Sequence, residues 1–251
     1  DDQPKIRVVV RKRPLTRKEQ SLREQDVVEV RDGTTVVVRE MKTAIAIQGK
    51  VDLTKFMDHH HFTFDNAFDE AADNSKVYTA YPRSIGNVFD PLFRVHFTGQ
   101  GYLLCLRADW VGKDYTMNGD PQRNVAGMYV LAAHDIFTLR QDARYRHLQV
   151  SMSFYEIYCG KLFDLLNGEV FFQFDKMQAE REVIGLTERR IQTVQEYMQI
   201  IASGGAVRVT SQNSTNADSS RSHAILQITL LEGKKVHGKI SFIDLAGCER
   251  G

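Results

Sequence analysis

Cysteine, tryptophan and proline are scarce in this chain of 251 residues, with 3, 1 and 5 copies respectively. Cys105, Cys159 and Cys248 are odd in number and form no CxxC pair, so they indicate neither a disulfide framework nor a zinc knuckle and fit a reducing, cytoplasmic setting. No run of about 18 or more uncharged apolar residues is present, which removes a membrane-spanning helix from consideration. The opening DDQPKIRVVV lacks the basic, apolar, small-residue order of a secretory signal. Charge of one sign is missing as well. The 33 Lys+Arg and 32 Asp+Glu leave a net charge of +1, so composition demands neither nucleic acid nor an anionic membrane as partner and leaves only local basic patches open. What is present is 42% hydrophobic and 26% charged residues, enough for a substantial core in one large domain or two small ones. Collagenous, low-complexity and disordered classes are excluded.

Along the chain, strand and helix signals interleave. KIRVVV at Lys5 to Val10 is a β-branched run that Pro14 should stop. Two Val-rich stretches between Val27 and Arg39 flank Asp32-Gly33 and predict a hairpin. An aromatic segment, Phe62 to Phe68, precedes a helix with Asn74 as its cap, expected to run toward Phe89 despite Pro82. Residues 90–114 match no period and stand out as anomalous. Val125, Met128, Ala132, Ile136 and Leu139 have helical spacing. Gln149 to Ile157 reads as a strand, Leu162 to Leu166 as a short helical turn, and Val194 to Ala202 as a helix that stops at Gly204-Gly205. Ala224 to Leu231 and Val236 to Asp244 read as strands paired around Glu232-Gly233. The pattern predicts an α/β fold, a sheet flanked by helices.

Two segments carry chemistry. NADSSRSH, Asn216 to His223, packs hydroxyls, an arginine and a histidine into a polar loop; hydroxyls ligate Mg²⁺ or position water, and arginine stabilises phosphate charge or pairs with a carboxylate. ISFIDLAGCERG, Ile240 to Gly251, delivers Asp244 at the end of an apolar strand with Gly247 three residues on, the layout of a Walker-B aspartate beside a glycine N–H that can meet a γ-phosphate. A strand ending in Asp-x-x-Gly is by itself also an ordinary structural turn.

Together, NADSSRSH and DLAGCERG resemble switch I and switch II of the kinesin motor domain. VRKRPL (Val10 to Leu15), SFYEIYCGKLFDLLNG (Ser153 to Gly168), VIGLTE (Val183 to Glu188) and FDNAFDE (Phe64 to Glu70) extend the resemblance over nearly the whole chain. It implies a P-loop NTPase-like motor core with a central mixed sheet between helices, in a single domain over 1–251. Because the chain stops after switch II, that domain is expected to be partial, with the main microtubule-contacting helix and the last helices missing. The implied activity is ATP hydrolysis coupled to microtubule binding, with ATP and Mg²⁺ as cofactors, tubulin as partner and the cytoskeleton as location. Lys50-Val51-Asp52 is similar to the Lys-Val-Asp tip of the internal-motor, kinesin-thirteen class, which depolymerises microtubule ends; its plain alternative is a charged turn.

Carried over residue by residue, the resemblance puts Arg11, Arg13 and Pro14 at the adenine with Tyr115 as the flanking aromatic. Asn216, Ser219 and Ser220 would sense γ-phosphate and Mg²⁺, with Ser220 on the metal and Asp244 holding it through water. Arg221 and Glu249 would pair across the switches beside Gly247, an arrangement that otherwise only pins two loops. Gly112 and Lys113 would belong to the phosphate loop, with Lys113 as a point-charge clamp.

That loop departs from its pattern. G-x-x-x-x-G-K-[ST] needs glycines so that backbone N–H groups curl round phosphates. Residues 107–114 read RADWVGKD, with Arg107 and Trp110 in glycine positions and Asp114 replacing the metal hydroxyl. A reverse translation of Gln100 to Asp114, shifted by one base, reads KATCFAYGQTGSGKT, an intact phosphate loop with its strand. Two compensating frame shifts, near Gly99 and between Asp114 and Tyr115, account for the segment and for Cys105 and Trp110. The rival reading is a catalytically dead, kinesin-like microtubule binder; a small GTPase or other P-loop enzyme would lack NADSSRSH. His59, His60 and His61 read as a solvated loop, since consecutive side chains point apart. Cys159 and Cys248 read as packing residues, RKRPLTRK as an exposed strand-to-helix connection, and Lys234 and Lys235 as hairpin charges.

Overall fold

The computed structural model describes residues 8–43, 55–80, 100–105, 115–158, 161–168, 170–171, 185–214 and 222–245. They fall into two compact units, 1–80 and 81–251.

In the first unit, β1 (Val9–Arg11) pairs in parallel with β5 (Asn66–Phe68). β2 (Val28–Arg31), β3 (Thr35–Thr43) and β4 (Lys55–Thr63) form an antiparallel sheet in that order. The expected hairpin is there: Asp32 and Gly33 have φ of 54° and 65°, and Thr34 N–H donates to the Arg31 carbonyl at 3.2 Å. Two successive left-handed residues match the strand twist, which glycine accepts freely and aspartate at modest cost. RKRPLTRK runs from β1 into α1 (Arg17–Ser21) through a Thr16–Glu19 capping box.

Two expectations are corrected in this unit. His59 to His61 lie in β4, not in a loop, opposite Arg39, Val38 and Val37 of β3. Cross-strand counter-charges make the polar run a viable strand. His60 Nε2 is 3.0 Å from Glu40 Oε2, and Lys42 Nζ is 2.5 Å from Asp58 Oδ2. The cap of α2 (Asn74–Thr79) is Asp73, whose carboxylate accepts from Lys76 N–H at 2.6 Å. Asn74 is buried in the first turn instead and accepts from Arg11 Nη1 at 2.5 Å. The expected extension toward Phe89 lies outside the described residues.

The second unit is built on a sheet of seven strands, ordered β11 (Val170–Phe171), β10 (Lys161–Asp164), β9 (Gln149–Tyr158), β13 (Ser222–Glu232), β14 (Lys235–Asp244) and β6 (Gln100–Cys105), with β12 (Arg189–Ile191) also on β9. β14 and β6 are parallel and the other pairs antiparallel. A short ribbon, β7 (Gly119–Asp120) with β8 (Val125–Ala126), leads into α3 (Met128–Leu139). Val125 is therefore strand, and Met128, Ala132 and Ile136 form the buried face of α3 as the spacing predicts. Phe154, Leu226 and Phe242 stand side by side on one face, with Tyr129 of α3 edge-on to Phe242 at 5.6 Å.

Two more expectations change here. Leu162 to Leu166 is not a helical turn: Lys161–Asp164 is strand on β9, because pairing with a buried neighbour overrides local preference. The Asp164 carboxylate then accepts from Leu166 N–H (2.8 Å) and Thr187 N–H (2.7 Å). The helix that begins at Val194 does not stop at Gly204-Gly205; α4 spans Val194–Ser214. A Cβ on Gly204 would lie 2.4 Å from Phe154 Cδ1, so this glycine marks a close approach of helix to sheet rather than a cap. The expected pair Ala224 to Leu231 and Val236 to Asp244 is present as β13 and β14, turning at Gly233 with φ of 63°.

Candidate functional site

β14 buries Ile240 and Phe242 on the helix-covered face, and alternation puts Asp244 on that face at the strand's carboxyl end. Asp244 is opposite Cys105, the last residue of the parallel strand β6. Two parallel strands thus end side by side, and the connections leaving them are 106–114 and the segment after Leu245. In open α/β sheets such carboxyl ends line the ligand crevice.

On the other side of Asp244, register places Ala224 of β13 and then Glu156 of β9 in one row. Ala224 is small, so the space above it takes the side chain of Arg208. That residue continues the sheet-facing stripe of α4 through Tyr197, Ile201 and Gly204, at helical spacing. Arg208 Nε donates to Glu156 Oε1 at 3.0 Å, Nη1 to Asp244 Oδ2 at 2.9 Å and Nη2 to Ser222 Oγ at 3.1 Å. The Glu156 and Asp244 side chains are 6% and 7% exposed, and that of Arg208 17%. Burial works against the arginine's charge, but the bond to Asp244 and the nearness of both carboxylates outweigh it and raise its pKa.

Sequence reading found Asp244 but missed Arg208 and Glu156. A signal existed for the second: Glu156 is a carboxylate at an inward position between Phe154 and the end of a buried strand, and such a group requires a cationic partner.

Of the other expected residues, Arg11, Arg13 and Pro14 lie in the first unit. Arg11 donates to Asn74 Oδ1 and, at 2.6 Å, to the Ala72 carbonyl; Arg13 grips both carboxylate oxygens of Glu19 at 2.8 and 2.7 Å. Those bonds, first from Arg13 and then from Thr16, hold the Glu19 carboxyl at about 2. Tyr115 opens a helical turn at 115–118 in the second unit and is half-buried. Lys50, Val51, Asp52, Gly112, Lys113, Asp114, Asn216, Ser219, Ser220, Arg221, Gly247 and Glu249 lie outside the described residues, as do Cys159 and Cys248.

Glu40, Asp58 and His60 bring ligand atoms within 4.8 Å of one another. Lys42 already supplies the cation there, 2.5 Å from Asp58 and 3.4 Å from Glu40, so the group is cross-strand charge pairing rather than a metal centre.

A mixed sheet under helices, with two parallel strands ending together at a buried aspartate, is the α/β architecture of the P-loop class. The chain belongs to the kinesin motor domain family, whose model matches residues 11–251. It is similar to a solved structure of a fast kinesin, described for its ATPase mechanism and interactions with microtubules, at 27% sequence identity and a TM-score of 0.75. The match covers 98% of this chain and 66% of that one, so this chain spans just under two thirds of the other.

Proposed function

We propose that this chain, with its reading frame restored over residues 100–114, is the ATP-hydrolysing core of a microtubule motor of the depolymerising kind. The supporting observation is the carboxylate of Asp244, set at the end of β14 beside the end of β6 and tied by Arg208 to the helix that leads into NADSSRSH.

Mg²⁺ takes oxygen ligands, and Asp244 is a donor of that chemistry at the place where the family's metal-side aspartate falls. A triphosphate does not fit residues 107–114 as written. Arg107 and Trp110 put side chains where N–H groups must converge, and Asp114 sets a negative charge against phosphate. No catalytic step is assigned to the chain in that form. In the frame-restored sequence, KATCFAYGQTGSGKT replaces residues 100–114 and the objection disappears. There Lys113 is the phosphate clamp, Ser220 and Asp244 face the metal, Asn216 and Ser219 report the γ-phosphate, and Arg221 pairs with Glu249 near Gly247. Arg11, Arg13 and Pro14, with Tyr115 as the aromatic, stand at the positions the family uses for adenine.

The depolymerising class rests on Lys50, Val51 and Asp52, which fall in the connection between the paired strands β3 and β4. In the restored chain, Lys50→Ala with Asp52→Ala is expected to remove ATP-stimulated release of tubulin from microtubule ends. Release that persists overturns the class. Steady-state ATPase assays on both forms test the core reading: the restored chain hydrolyses ATP and the chain as written does not. If neither hydrolyses ATP yet both bind microtubules, the catalytically dead reading replaces it.

A further inference from the structure

The end of the large sheet remote from Asp244 carries two loops that the nucleotide reading leaves unused. β13 and β14 run from the Ala224–Asp244 pair to the Glu232–Lys235 pair, and the pairing of Leu231 with Gln149 brings the connection 140–147 to the same end. His147 Nε2 lies 3.5 Å from Glu232 Oε1, where the two loops meet. The two loops hold Arg140, Arg144, Arg146, Lys234 and Lys235, and their own acids are Asp142 and Glu232, in a chain whose net charge is +1.

Of the two acids, Asp142 is held by an arginine. Asp142 accepts from Arg144 Nη2 at 2.7 Å and from the Arg144 backbone N–H at 2.9 Å, and Glu232 faces His147. Arg140 lies over the Phe137 ring, 5.7 Å from its centroid. Three exposed cations remain. Arg146 donates to the Gln141 carbonyl at 3.3 Å, and Lys234 and Lys235 make no ion pair among the described residues. Beside them Val236 is 44% exposed.

We propose that this end of the sheet, centred on Arg146, Lys234, Lys235 and Val236, is a docking surface for an acidic peptide segment that sets an apolar side chain against the valine. Nucleic acid fits less well. Strong phosphate-backbone binding uses on the order of 6–10 cationic contacts, and single strands need open aromatic platforms. Here the free cations number three, and the Tyr145 ring is covered by the Arg144 guanidinium at 5.1 Å. One exposed valine is also too little for insertion into lipid.

The test is fluorescence anisotropy of a labelled decamer of glutamates with a central leucine, titrated with the whole chain at low and near-physiological salt. Saturable binding that weakens with salt is expected. The combined Arg146→Glu, Lys234→Glu and Lys235→Glu variant should bind at least about tenfold more weakly, since each exposed pair contributes little but three act together. A charge-matched control, Arg17→Glu and Lys18→Glu in α1 with Arg23→Glu in the turn after it, all exposed, should bind as the parent does. Thermal unfolding of both variants at the parent's midpoint shows that neither effect is misfolding. No binding, an equal loss in the control, or tighter binding of a single-stranded decanucleotide overturns the proposal.

Discussion

Arg208 satisfies acceptors on three neighbouring strands, and the two carboxylates among them are buried. Removing it takes away the cation that bridges both charges. Arg208→Met is therefore expected to lower stability by about 3–5 kcal/mol, measured by urea unfolding. Arg208→Lys should recover only part, because an ammonium cannot reproduce the guanidinium fork. Asp244 was legible in sequence as the polar end of an apolar strand. Arg208 was not, because Glu156 and Asp244 lie 52 and 36 residues away from it. A second side-chain prediction concerns pH. Glu19 sits at about 2 in the folded chain against an ordinary 4.5, chiefly through Arg13. A lowered carboxyl stabilises the fold fully above 4.5, and that contribution fades as pH falls from 4.5 through 2. In Arg13→Ala the Glu19 titration, followed by NMR, should move up toward the ordinary value, and the acid limb of unfolding should begin at higher pH.

Among elements, α4 offers a direct comparison between adjacent glycines. A Cβ on Gly204 meets the Phe154 ring at 2.4 Å, whereas one on Gly205 meets nothing within 4 Å. Gly204→Ala should cost about 1–3 kcal/mol by overpacking, and Gly205→Ala should add about 0.5–1 kcal/mol through helix preference. Equal effects at the two positions in thermal or urea unfolding would refute the close approach of α4 to β9. The pair also shows why the expected helix stop was wrong. Two glycines after a periodic run are a cap signal locally, but here one of them is the price of bringing a helix onto a sheet. β10 teaches the same lesson in reverse, since LFDLL is acceptable as a helical turn until β9 offers it a hydrogen-bonded edge.

For the molecule as a whole, the proposed function puts a phosphate loop after β6, beside the end of β14, and residues 107–114 as written do not supply one. With Mg-ATP present, the frame-restored chain should gain about 2.7 kcal/mol of stability at a ligand concentration of 100 Kd. The chain as written should show no ATP-dependent shift in a thermal melt; a shift would mean that Arg107, Trp110 and Asp114 are compatible with triphosphate after all. The amino-acid sequence by itself determined the α/β alternation, the hairpins at Asp32-Gly33 and Glu232-Gly233, the inward face of α3, the place of Asp244 and the kinesin resemblance. Each of these is written in neighbouring residues, through period, turn chemistry or a contiguous motif. Tertiary structure alone decided that β4 carries the histidine row, that β10 is a strand, that α4 runs through its glycines, and that Arg208 bridges Glu156 to Asp244. Periodicity says which side of an element is buried; which distant strand or helix covers that side is a matter of pairing and packing, and no local pattern encodes it.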